Sequence, residues 1–179
     1  MRQSETATTV SPFPKAMDQK FQIRSATPDD VAVILQLIRD LATYERAPNE
    51  VTATPDGLRE VLFGKKPAAE VRLVFEGNTA VGFAVFFQNF STWLGRSGLY
   101  LEDLFVKPEH RGKGYGRALL IDLAKIAHQR GCGRMEWAVL DWNEPAIQFY
   151  RKLGAKPMDE WTVFRLTRDG IAKLAAEEK

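Results

Sequence analysis

The apolar positions of this chain change period several times between Phe21 and Leu166, and each change marks an element. Phe21 and Ile23 alternate with polar neighbours, which predicts a short strand to Ser25. Thr27-Pro28-Asp29-Asp30 is a helix start: a hydroxyl to cap, a proline at the first helical position and acids where the helix dipole favours them. Val31, Ile34, Leu35, Ile38, Leu41 and Ala42 then recur at helical spacing, so this helix runs to about Tyr44, with Glu45 just past its end. Thr54-Pro55-Asp56 repeats the start signal for a shorter helix through Leu62, and Gly64 to Pro67 ends it. Val71 to Phe75 and Ala80 to Phe87 are apolar runs separated by Glu76-Gly77-Asn78-Thr79, turn chemistry that predicts an antiparallel hairpin.

Beyond a polar connection from Asn89 to Gly98, Leu99 to Val106 reads as a strand, followed by the glycine-rich loop Arg111-Gly112-Lys113-Gly114-Tyr115-Gly116. The helix it opens carries Leu119, Leu120, Leu123, Ala124 and Ala127, and Gly131 suits its stop. Met135 to Leu140 predicts another strand. Asn143-Glu144-Pro145 starts a helix bearing Ile147, Phe149, Tyr150 and Leu153, and Gly154 ends it. Val163 to Leu166 predicts a last strand, and Asp169 to Lys179 a polar helix. The order is strand, two helices, a three-strand meander, helix, strand, helix, strand: an α/β (α+β) chain.

Composition narrows the setting. The 179 residues suffice for one domain, and 45% hydrophobic with 27% charged residues is a globular balance. Met1 to Lys20, rich in Ser, Thr, Gln and Pro, is expected to be a disordered arm ahead of a single domain from 21 to 179. Met17, at the composition break, is the expected natural start. The arm lacks the continuous apolar core of about 7 to 15 residues that a secretory signal needs, and no run approaches the roughly 20 that cross a bilayer, so no membrane partner is expected. A net charge of +2 without a basic-aromatic stripe argues against nucleic acid. One cysteine, Cys132, and two histidines, His110 and His128, provide neither an internal disulfide nor a familiar metal-ligand spacing; no metal is expected, and a cytoplasmic setting fits.

The loop carries the chemistry. Backbone amides approach a pyrophosphate closely only where Cβ atoms are absent, and Gly112, Gly114 and Gly116 clear that approach at a helix N-terminus, with Arg111, Lys113 and Arg117 adding positive charge. The dinucleotide fingerprint fails because Arg117 stands where its third glycine belongs, and the P-loop fails because Gly114 follows Lys113 in place of Ser or Thr. The residues alone also fit a plain strand-to-helix turn.

Arg111-Gly112-Lys113-Gly114-Tyr115-Gly116 matches the R-x-x-G-x-G/A acyl-CoA loop of the GNAT N-acetyltransferases, and the element order from Phe21 to Leu166 is similar to theirs. Tyr100-Leu101-Glu102-Asp103, Trp142-Asn143-Glu144-Pro145 and Phe149-Tyr150 resemble the diamine (spermidine/spermine) acetyltransferase group within that family. The resemblance implies a mixed, mostly antiparallel sheet with helices on both faces and an acyl-CoA site where central strands splay. It implies that Leu104, Phe105 and Val106 offer backbone to the pantetheine arm of acetyl-CoA, that the loop from Arg111 to Arg117, Tyr115 included, holds the pyrophosphate, and that Asn143 contacts the cofactor. It makes Tyr150 the general acid that protonates the departing thiolate and Glu102 the carboxylate that assists amine deprotonation, with Tyr44, Glu45, Trp93 and Asp103 contacting the acceptor. It also implies a homodimer, for which Trp161, Val163 and Phe164 are candidate interface residues. Adjacent strand residues point to opposite faces, so Glu102 is favoured over Asp103. Read alone, Tyr150 suits a core, Asn143 a helix cap and Glu102 a salt bridge equally naturally. Polyamine-specific members carry an acid and a proline before the tryptophan matching Trp93, whereas this chain has Ser91-Thr92, similar to the branch that acetylates thialysine; a small amino-acid-like amine is therefore expected over spermidine.

Overall fold

The computed structural model describes residues 21–177, so the expected N-terminal arm and the last residues of the tail lie outside it. Strand β1 (Phe21–Ser25) is followed by a 3-10 turn at Pro28–Asp30 and helix α1 (Val31–Tyr44). The start is pinned by Asp30, whose carboxylate accepts from the Thr27 N–H and from both ends of the Arg24 guanidinium, each at 2.7 Å; the guanidinium first of all holds this acid far below the usual carboxylate range. Helix α2 (Pro55–Phe63) follows, capped by Thr54, whose hydroxyl accepts from the Gly57 N–H. Then come β2 (Glu70–Glu76), β3 (Thr79–Ser91), β4 (Arg96–Val106), α3 (Tyr115–Gln129) and β5 (Met135–Trp137).

These five strands form one sheet in the order β1-β2-β3-β4-β5, antiparallel except for the β4–β5 pair, which α3 connects as a crossover. Alternation divides the two faces. On one side Val71, Leu73, Phe83 and Phe105 pack with Ile34, Leu37 and Leu41 of α1 and Leu62 of α2. On the other, Arg72 reaches Asp122 of α3 at 2.6 Å and Phe86 lies under Arg130. Helices thus cover both faces. Gly82 is required by this packing, since a Cβ there would stand 2.5 Å from the Phe105 carbonyl oxygen.

Compactness divides the chain into two units, at Ala138 and Val139. The second holds α4 (Glu144–Lys152) and α5 (Arg168–Ala175). No helix among the described residues is long and apolar enough to cross a membrane.

Two expectations fail in one way. The strand expected from Met135 to Leu140 stops at Trp137, and Val163–Leu166 forms no strand. Alternation supplies a face for a strand, but a strand also needs a neighbour to receive its N–H and C=O groups. Pairing with β4 ends at Leu101, and Val163 and Phe164 are instead 84% and 90% exposed.

Candidate active site

β3 accompanies β4 from Arg96 to Val106, whereas β5 pairs with it only at Leu99, Tyr100 and Leu101. From Glu102 to Val106 the second edge of β4 has no strand beside it among the described residues. Its outward backbone groups, those of Leu104 and the N–H of Val106 among them, are available to an extended ligand, whereas Phe105, paired with Phe83 in the register that bonds the Lys107 N–H to the Val81 carbonyl, turns its N–H and C=O towards β3.

A bulge interrupts β4 at the head of this open stretch. Val85 pairs with Asp103 and the next residue, Phe86, with Leu101, so Glu102 is an extra residue with no partner of its own. Tyr100 lies opposite Phe87 and Asp103 opposite Val85, which places these two, three residues apart, on one face. Strict alternation across Glu102 and Asp103 therefore does not hold, and the reason for preferring one acid over the other falls away. The Glu102 charge raises both Tyr100 and Asp103, in each case after burial as the larger cause.

Asp103 is the more perturbed acid. Burial first, then the charges of Glu102 and Glu45, push it up to about 6. Glu45, just past α1, is itself raised by burial. The end of α1 thus brings Glu45 to the acids of β4, and Tyr44 comes with it, its ring 6.4 Å from that of Phe105. Trp93 does not join them. It is 88% exposed at the β3–β4 turn, and Arg96, where β4 begins, is seven residues before Asp103, about 23 Å of strand. Ser91, on which the substrate expectation partly rested, is buried, and its hydroxyl accepts from the Leu94 N–H at 3.3 Å to close that turn.

The glycine loop has the backbone of an anion cradle. Gly112 and Gly114 take left-handed φ of 78° and 87°, and a Cβ on either would meet nothing within 4 Å. Gly114 caps α3, a helix of 15 residues, so the unpaired N–H groups of its first turn, that of Gly116 included, open onto the same space. These residues fit a pyrophosphate. The side chains are deployed differently. Tyr115 is buried, its ring edge-on to Phe21 at 5.3 Å, and anchors the helix start. Lys113 donates to both oxygens of Glu76 at 2.9 and 3.0 Å, while His110 Nδ1 lies 2.7 Å from the same carboxylate; Lys113 and then His110 hold Glu76 below the usual range. Arg111 Nε donates to the Val106 carbonyl at 2.9 Å, and its guanidinium lies 4.1 Å over the Tyr44 ring. Arg117 is exposed on the first turn of α3.

In the second unit Asn143 is buried and caps α4, its side chain accepting from the Ala146 N–H at 3.4 Å. Tyr150, on the same helix, packs with Phe149 at 5.3 Å, and burial pushes its phenol up to about 12.

Residues 34–155 match the model of the acetyltransferase (GNAT) family. The chain belongs to that family. It is an acetyltransferase, of a family that uses acetyl-CoA. It is 37% identical over 166 residues to the thialysine N-epsilon-acetyltransferase of Bos taurus, covering 87% of this chain and 97% of the relative. It is 32% identical over 198 residues to the L-ornithine N5-acetyltransferase NATA1 of Arabidopsis thaliana, covering 86% and 87%. Among solved structures, an integron cassette protein from the mobile metagenome of V. cholerae aligns with a TM-score of 0.75 at 26% identity, over 88% of this chain and 98% of that one. The diamine-group resemblance and the mixed sheet expected of this acetyltransferase are borne out.

Sequence reasoning missed Glu76 and His110, which tie the glycine loop to the β2–β3 hairpin. Nothing local signals such a contact: Glu76 reads as the first residue of a turn, and its partners are 34 and 37 positions away.

Proposed function

We propose that this acetyltransferase transfers acetyl from acetyl-CoA to a primary amine of a small amino-acid-like acceptor of the thialysine kind. The observation that carries the reading is the open edge of β4 leading into a left-handed glycine loop at the start of α3. That layout suits an extended arm along Leu104, Phe105 and Val106 with phosphates against the amides from Gly112 to Gly116, aided by Arg117 and, on α4, Asn143. A single acetyltransferase domain over residues 21–179 belongs to the same proposal.

Acetyl-CoA supplies a thioester carbonyl for the amine to attack, with thiolate as leaving group. The chain's residues manage the protons. An alkylammonium near pKa 10.4 is neutral in about one molecule in a few thousand at pH 7, a cost of roughly 4.6 kcal/mol. Glu45, Glu102 and Asp103 attract the cation, and Glu102, with Asp103 on the same bulged stretch, accepts the proton directly or through water. Tyr150 stays protonated at neutral pH and donates to the departing sulfur. A phenol at about 12 is a weaker acid than a thiol near 8.5, so its first contribution is a hydrogen bond to the developing charge. The proton lost by the amine balances the one the thiolate gains. Tyr44 contributes to the acceptor wall, while Trp93 stands apart at the far hairpin.

The names of the relatives that act on thialysine and ornithine support an amino acid over a polyamine. The test is kcat/KM with acetyl-CoA across thialysine, lysine, ornithine and spermidine. The amino acids lead if the reading holds, and spermidine in first place overturns the substrate class. A reducing cytoplasm and a homodimer complete the proposal. Trp161, Val163, Phe164 and Leu166 are all more than half exposed, a large apolar surface on a short segment that suits a second copy. A monomer by sedimentation at micromolar concentration would remove that part.

A further inference from the structure

Three side chains from the glycine loop and its flanks meet on one carboxylate outside it. Lys113 Nζ donates to both oxygens of Glu76 at 2.9 and 3.0 Å, and His110 Nδ1 lies 2.7 Å from Oε2. The Tyr115 hydroxyl donates to the same group. Glu76 is the last residue of β2, and its partner across the β1–β2 pair is Phe21. Side chains directly opposite share a face, and the Phe21 ring stands edge-on to that of Tyr115 at 5.3 Å. The strand ends therefore hold Tyr115 by its ring and by its hydroxyl.

These contacts fall at positions 110, 113 and 115, on either side of Gly112 and Gly114. Nothing packs where a Cβ would stand on either glycine, so their own surroundings do not hold φ at 78° and 87°. A glycine enters and leaves that region with equal ease. The N–H of Ala118 bonds to the Gly114 carbonyl at 3.0 Å, and the N–H groups of Tyr115, Gly116 and Arg117 before it face a ligand together only while the loop keeps its shape. An exposed ion pair such as Lys113 with Glu76 contributes little alone. Three contacts that bracket two free glycines and converge on a strand end remove the loop's freedom before a ligand arrives, and ordering already complete in the free protein does not oppose binding.

We infer that Glu76 is a positioning residue for pyrophosphate recognition: through His110, Lys113 and Tyr115 it holds the glycine loop in the shape that receives phosphates, and it takes no part in acetyl transfer itself. The inference rests on the acyl-CoA reading of the loop above. The competing expectation has the opposite sign, since a carboxylate near the cradle repels phosphate and detains the Lys113 ammonium. In that case the cofactor would bind better once Glu76 is removed.

Two acetyl donors separate positioning of the loop from support of the fold: acetyl-CoA, and S-acetylpantetheine, which has the same thioester arm and no pyrophosphate. With ornithine as the amine, Glu76→Ala should raise the KM for acetyl-CoA about 5- to 20-fold at nearly unchanged kcat, the scale of a charge-assisted contact discounted for exposure. The kcat/KM for S-acetylpantetheine should stay within about twofold of wild type. Glu76→Gln retains one acceptor oxygen for the loop and should recover part of the KM. A KM for acetyl-CoA that is unchanged or lowered in Glu76→Ala overturns the assignment. An equal loss with both donors does so too, and makes Glu76 a support of the whole fold. Absence of turnover with every amine would sink the acetyl-transfer reading, and the Kd of CoA by calorimetry then decides for Glu76 by itself. Binding about 5- to 20-fold weaker in Glu76→Ala supports the clamp, and unchanged or tighter binding removes it.

Discussion

Replacing Asp103 by Asn should make the protein more stable at pH 8 and no more stable at pH 4. The aspartate is held at about 6 against an ordinary 3.8, by burial first and then by Glu102 and Glu45. At about 1.4 kcal/mol per power of ten, keeping it ionised costs the folded state about 3 kcal/mol; solvent screening at a site only partly closed to water reduces this to about 1–3 kcal/mol. The sign follows from the raised value. The folded protein keeps this proton at pH values where the unfolded chain has released it, so the group carries no penalty below about 3.8 and the full penalty above about 6. Asparagine has the same shape and cannot ionise. At about 2–4 °C per kcal/mol for a chain of this size, the variant should melt roughly 2–12 °C above wild type at pH 8, the gap closing towards pH 4. Urea unfolding at intervals from pH 4.5 to 8 gives the difference directly. A variant less stable at pH 8, or a difference flat across pH, would refute the account of Asp103. The same change should lower kcat/KM for the amine, because the charge that burdens the fold is the one that attracts the ammonium.

Further outcomes follow from the same geometry. The kcat/KM of the wild type should fall as pH drops through about 6, where Asp103 takes up its proton, and Glu45→Gln should move that limb to lower pH by removing one of the charges that raise it; a limb that stays put would separate Glu45 from the acids of β4. Tyr150→Phe should lower kcat about 100- to 1,000-fold while the CoA Kd measured by calorimetry stays within a few-fold, and unchanged turnover would remove the phenol from the reaction. Gly114→Ala places a Cβ at φ 87° with no protein atom within 4 Å, so it should cost about 1–2 kcal/mol of left-handed strain and also weaken CoA binding. Gly95→Ala, at φ 59° in the β3–β4 turn, carries the same strain away from the cradle, and an equal loss of CoA affinity there would show that strain alone is responsible.

Local pattern by itself determined much of this protein. Periodicity and caps located α1, α2, α3 and α4 to within a few residues and β1 to β4 as strands, because helix starts, turns and alternation are governed by neighbours in the chain. The R-x-x-G-x-G loop with the Tyr-Leu-Glu-Asp and Trp-Asn-Glu-Pro segments was enough to place the chain among the acetyltransferases that its relatives confirm. What depends on partners distant in sequence was decided only in three dimensions. Alternation around Val163 could not show that no strand would pair there, and nothing near Glu102 signals the bulge that breaks the parity of the two acids, since a bulge is a mismatch between β4 and β3. Lys113 and Arg111 read alike as cations for phosphate until the fold set Glu76 beside one and Tyr44 under the other. A charged side chain goes to the partner with which it loses least hydration and gains most contact, and the folded structure alone fixes which partner lies within reach.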